Sequence, residues 1–172
     1  MRKFIFLVLL LSYANNFYCQ NLTIDELIDL RKSDVAEVEE FVTPKNWTFL
    51  SANAPQYNEM GTATFTFNKS NESDRAESFL TYAYSGTGKA NRLNLQFSNQ
   101  EKYNSYLNRL KILGYDFVVS KVQNDSIVKL YLGKGLTIEI TVSSKNENDI
   151  TRTSYNILIT ASDDYLVSIV DQ

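Results

Sequence analysis

An α+β fold, with helices packed on one face of an antiparallel sheet, is what this sequence predicts. Three observations carry that expectation. Two amphipathic stretches open on helix-capping residues, several segments alternate apolar and polar residues with period two, and short Gly- or Asn-bearing turns separate those segments. Each helical stretch is followed by about four strand-like segments. The predicted class is therefore two similar helix-plus-antiparallel-sheet units, α-β4 written twice, over residues of about 22–97 and 98–161.

The chain begins Met1-Arg2-Lys3, continues with an apolar run from Phe4 to Leu11 and then turns polar from Ser12 to Gln20. A basic start, a short apolar segment and a polar exit form the pattern of a secretory signal. Eight apolar residues fall well short of the roughly 20 that span a bilayer. Residues 1–19 are read as a signal peptide cut after Cys19, and residues 20–172 as one domain, secreted or periplasmic, with no transmembrane segment. Lipid attachment at Cys19 is disfavoured because bulky Phe17 and Tyr18 precede it. Loss of Arg2 and Lys3 moves the formal charge from −3 to −5, a balance that argues against a nucleic-acid partner. With Cys19 as the sole cysteine, the domain has no internal disulfide to form and must rest on its core.

The first helix is expected from Thr23, where Thr23 and Glu26 make a capping box, with Leu27, Leu30, Val35, Val38, Phe41 and Val42 as its apolar stripe and Pro44 as its stop. The second opens on Ser98-Asn99-Gln100-Glu101, carries Tyr103, Tyr106, Leu107, Leu110 and Leu113, and ends at Gly114. Strands are expected at Thr62–Phe67, Phe79–Tyr84, Leu93–Phe97, Phe117–Val122, Ile127–Leu132, Leu136–Val142 and Ser154–Ala161. In Leu136–Val142 the apolar Leu136, Ile138, Ile140 and Val142 alternate with Thr137, Glu139 and Thr141, which implies a sheet wet on one side and covered on the other. Gly133-Lys134-Gly135 reads as a tight hairpin turn, and 68–77 and 143–151 as long polar loops. Residues 163–170 fit a strand or a short helix.

The segment Lys45–Leu50 aligns with Leu113–Val118 at an offset of 68, placing Asn46 over Gly114 and Trp47 over Tyr115. Asn and Gly are the residues that best tolerate a positive φ, so the match has a physical basis. This order of elements resembles the tandem helix-plus-four-stranded modules of the beta-lactamase-inhibitor-protein fold. The likeness covers most of residues 22–161 and lies in element order alone. That family carries two helices per unit, against the single one expected here. The resemblance implies a protein-binding surface only weakly, since folds do not carry functions by themselves.

The chain contains no histidine. That removes the commonest general base, the Ser-His and Cys-His nucleophile pairs and most zinc or copper sites. Of the acids, Glu139 is the one inside a confident strand, and it reads as a solvated residue on the wet face between Thr137 and Thr141. Ser85-Gly86-Thr87-Gly88-Lys89 fails as a phosphate loop, because Ala83 stands where the first glycine belongs and Ala90 where Ser or Thr belongs. The Asn- and Asp-rich loops lack the spaced acids and turn glycine of a calcium loop. Asn-x-Ser/Thr triplets begin at Asn21, Asn46, Asn68, Asn71 and Asn124; in a eukaryotic secretory pathway they would be glycosylation acceptors, and in a bacterium, the preferred reading, they reflect an Asn- and Ser-rich chain.

The compositional excess is aromatic, with 11 Tyr, 10 Phe and one Trp. Tyr and Trp offer rigid contact area with a polar end. Trp47, Tyr82, Tyr84 and Tyr115 are therefore the candidate interaction surface, with partial burial of all four as the plainer account. No catalytic, cofactor or metal residue is assigned. The expected function is non-catalytic binding of a protein or small ligand. Two alternatives are a small envelope hydrolase working through carboxylates alone and a carrier of apolar ligands in a closed cavity.

Overall fold

The computed structural model describes residues 22–57, 59–70, 75–86, 90–147 and 150–165. The leader, its cut and Cys19 lie outside them, as do most of the 85–89 loop and the chain beyond residue 165. The order is α1 (Ile24–Leu30), α2 (Val35–Val42), a 3-10 turn (Thr43–Lys45), β1 (Trp47–Asn53), β2 (Gly61–Phe67), β3 (Ser78–Tyr84), β4 (Arg92–Phe97), α3 (Gln100–Ile112), β5 (Asp116–Gln123), β6 (Ser126–Gly133), β7 (Leu136–Glu147) and β8 (Ile150–Ala161). All eight strands join one antiparallel sheet in the order β1-β2-β3-β4-β8-β7-β6-β5. Two four-stranded meanders thus meet at a central seam, where Leu93, Leu95 and Phe97 of β4 face Ile159, Ile157 and Tyr155 of β8.

The expected capping box at the first helix is present, with the Thr23 amide donating to Glu26 Oε2 at 2.7 Å and the Glu26 amide to Thr23 Oγ1 at 3.2 Å. The single long helix is not. The chain stops at Leu30 and starts again at Asp34, whose carboxylate accepts from the amides of Ala36 and Glu37 while Glu37 reaches back to the Asp34 amide. A second capping box inside one apolar pattern divides it in two. In α3 the N-cap is Asn99, which accepts from the Lys102 amide at 2.8 Å, one residue later than the expected Ser98.

Alternation sets the faces as expected. Ala63, Phe65, Phe67, Leu80, Tyr82, Ile138, Ile140, Ile157 and Ile159 point to the helix side and join Leu27, Val38, Val42, Tyr106 and Leu110 in one core. Stacking of Tyr103 on Tyr155 at 4.4 Å and the edge contact of Phe97 with Tyr106 at 5.5 Å fasten α3 to the seam. The buried Tyr106 hydroxyl donates to the Leu22 carbonyl at 2.7 Å, and Asp25 of α1 pairs with both donors of Arg109 on α3 at 2.8 Å.

The hairpin at Lys134-Gly135 has both central residues at positive φ, 53° and 72°, as does Asn124-Asp125 at 49° and 57°. That geometry matches the right-handed twist of the flanking strands. The expected polar loop at 143–151 is instead the far end of the β7–β8 hairpin, paired out to Glu147 opposite Ile150. The aligned pair behaves as its residue types demand, with Asn46 at φ 65° and Gly114 at φ 79°. A bulge follows each at the same offset, between Phe49 and Ser51 in β1 and between Phe117 and Val119 in β5.

Candidate functional site

The sheet face away from the helices carries hydroxyls, amides and a few charges, and its second half forms a cleft of about 490 Å³. Antiparallel register brings its lining together. Thr141 faces Val128 of β6, Glu139 faces Leu158 of β8, and Lys121 of β5 faces Val128. Arg92 reaches in from β4, and Gln123, Asn124 and Ser126 close the hairpin end. Leu158 and Val128 supply an apolar floor beneath this polar rim.

One wall is the helical turn over residues 162–165, which crosses onto the open face. The Ser162 amide donates to the Gly135 carbonyl at 3.0 Å, and Thr137 Oγ1 donates to Ser162 Oγ at 3.3 Å. Asp164 accepts from Arg92 Nε at 2.7 Å and Nη2 at 2.9 Å, a two-pronged pairing that anchors the turn to β4. The Tyr165 hydroxyl donates to Glu139 Oε2 at 2.6 Å. Burial, then that hydrogen bond and the carboxylate's charge, hold the Tyr165 phenol well above its ordinary range, so it stays a neutral donor.

This arrangement has consequences for chemistry. Glu139, the acid in the cleft lining, accepts from a phenol through Oε2, and both oxygens of Asp164 behind the wall are engaged by one guanidinium. Lys121 makes no ion pair among the described residues. Nor, among them, does any group of three or more His, Cys, Asp or Glu come together to hold a metal ion.

The four aromatic residues singled out from sequence lie on the other side of the sheet. Trp47, Tyr82 and Tyr115 are 2, 0 and 4% exposed, and Tyr84 is half-buried against the core with its ring stacked on Tyr82. Period two puts Tyr82 and Tyr84 on the face that the helices cover, and Trp47 and Tyr115 start their strands there too. The Tyr82 hydroxyl donates to the Ser33 carbonyl at the α1–α2 break. Burial pushes the Tyr82 and Tyr115 phenols up. These rings build core rather than a contact surface.

Of the cleft residues, sequence reasoning singled out Glu139, as a solvated acid on the wet face. Arg92, Lys121 and Tyr165 went unnoticed, since their meeting depends on strand order, above all on β4 lying next to β8. The core side chains lie between the helices and the sheet. A further cleft, of about 340 Å³, is lined by Thr23, Ile24 and Asp25 at α1 and by Lys102, Tyr106 and Arg109 of α3. Among the described residues, no helix is long and apolar enough to cross a membrane. Comparison with family models, curated proteins and solved structures finds no match to this chain.

Proposed function

We propose that this is an exported, non-catalytic binding protein that holds a neutral, hydroxyl-rich ligand, of oligosaccharide type, on the open face of its sheet. The observation that carries the reading is the cleft beside the 162–165 turn, where hydroxyls and amides surround a small apolar floor and Arg92 and Glu139 are already engaged within the protein. A strongly anionic ligand would meet Glu139, and a cationic one Arg92 and Lys121. A neutral polar ligand avoids both penalties while exchanging hydrogen bonds with Gln123, Asn124, Ser126, Thr141 and Thr160. The Tyr165 ring at the wall suits the apolar face of a sugar.

The basic and apolar start of the chain supports export, with the cut after Cys19. Internal duplication fits the same picture: the shared positive φ at Asn46 and Gly114, the matching bulges and the joining of two meanders at one seam all support two units descended from one. On that account the cleft belongs to the second unit, where the 162–165 turn supplies the extra wall.

Binding to a panel of neutral and charged oligosaccharides, measured by calorimetry, tests the reading. Neutral members bind without being cleaved, and Thr141→Val, which removes a lining hydroxyl, weakens them about tenfold, equivalent to about 1.4 kcal/mol. Hydrolysis of any member that depends on Glu139 overturns the proposal in favour of carboxylate catalysis. Binding by peptides alone overturns the ligand class.

A further inference from the structure

We propose that β5 is a homodimer interface, in which two copies of the chain pair their β5 edges antiparallel about a two-fold axis at Ser120. The inference is independent of the cleft's ligand. As the last strand in the sheet order, β5 has one edge with no partner strand among the described residues, and every one of its eight residues is exposed. Edge strands that stay monomeric are blunted by charges, proline, bulges or very short length; β5 has a bulge at Val118 and the charges of Asp116 and Lys121, yet keeps eight residues in the strand and an apolar helix side. Here the strand is Asp116-Phe-Val-Val-Ser-Lys-Val-Gln123, with one cation and no proline. Phe117 is 55% and Val122 79% exposed, both on the helix side by their register with Tyr131 and Ile127. Ile127, opposite Val122 on β6 and 44% exposed, widens the apolar patch inward.

Self-complementarity identifies the partner as a second copy. The bulge at Val118 takes that residue out of the alternation, leaving Asp116, Phe117, Val119, Ser120, Lys121, Val122 and Gln123 in register with β6. The middle of that series is Ser120. Folding it back on a second copy sets Phe117 opposite Val122 on the helix side, twice over, and Asp116 opposite Gln123 on the open side. Asp116 then lies diagonal to the other copy's Lys121, and no like charges stand face to face. A two-fold pairing closes on itself, whereas pairing β5 with β1 of another copy would continue into a fibre.

Sedimentation equilibrium of the protein purified from the exporting cell tests this. A concentration-dependent dimer is expected, and Val122→Lys, at a site too exposed to disturb the core, converts it to monomer. Asn53→Lys on the β1 edge leaves it dimeric. A Ser120→Cys variant forms a disulfide-linked dimer on mild oxidation, and Asn53→Cys does not. This second readout stands even if Val122→Lys fails to fold by circular dichroism. A monomer at every concentration, a dimer indifferent to Val122→Lys, or absence of the Ser120→Cys cross-link overturns the proposal.

Discussion

At the residue scale, the structure separates polar contacts that hold the fold from those that shape the cleft. Tyr106→Phe leaves the buried Leu22 carbonyl without its donor and is predicted to cost about 1–3 kcal/mol in urea unfolding. Tyr165→Phe removes a donor from a carboxylate at an open cleft, where water replaces it, and costs less than about 1 kcal/mol. Gly61 allows no side chain: a Cβ there would stand 2.7 Å from Pro55 and 2.8 Å from the Tyr84 ring, so Gly61→Ala is destabilising by roughly 1–3 kcal/mol. Acid sensitivity follows from α1. The hydrogen bond from Arg109 lowers Asp25, and for Glu26 the contacts with Lys45 and Thr23 outweigh burial and lower it too. Lowered carboxyls stabilise the fold above their ordinary values of 3.8 and 4.5, and that contribution is lost as pH falls through the lowered ones. Melting temperature therefore declines on acidification below about 4.5, and a double Asp25→Asn, Glu26→Gln variant shows a shallower decline.

At the scale of elements, strands were legible wherever one face is buried. Leu136–Val142 and Thr62–Phe67 alternate in sequence because one set of side chains enters the core. The far end of the β7–β8 hairpin read as loop because Ser144, Lys145 and Asn146 are all exposed, so neither face imposes a pattern. The helix break at Ser33 was hidden for a different reason. Apolar residues continue across it, and only the Asp34-x-x-Glu37 spacing marks the restart. Asp34→Ala is predicted to cost about 1 kcal/mol and to lower amide protection across α2 first, as followed by hydrogen exchange. The Asn46 and Gly114 turns were legible because so few residue types accept their geometry.

For the whole molecule, sequence pattern told which residues face inward but not which strands are neighbours. The seam between β4 and β8 joins Leu93 to Ile159, and with it come Arg92 and Asp164, residues that no local spacing relates. That is why the cleft was invisible in the sequence, while Tyr82 and Tyr115, conspicuous there, are buried in the core. The account's central claim is that the open face of the second meander is the working surface. Backbone amide chemical-shift mapping during titration with a neutral oligosaccharide tests it most directly. The predicted result is a set of shifts confined to Lys121, Ser126, Glu139, Thr141, Thr160 and Tyr165, with the helices unmoved. Shifts centred instead on α1 and α3, or none with any member of the panel, would contradict it.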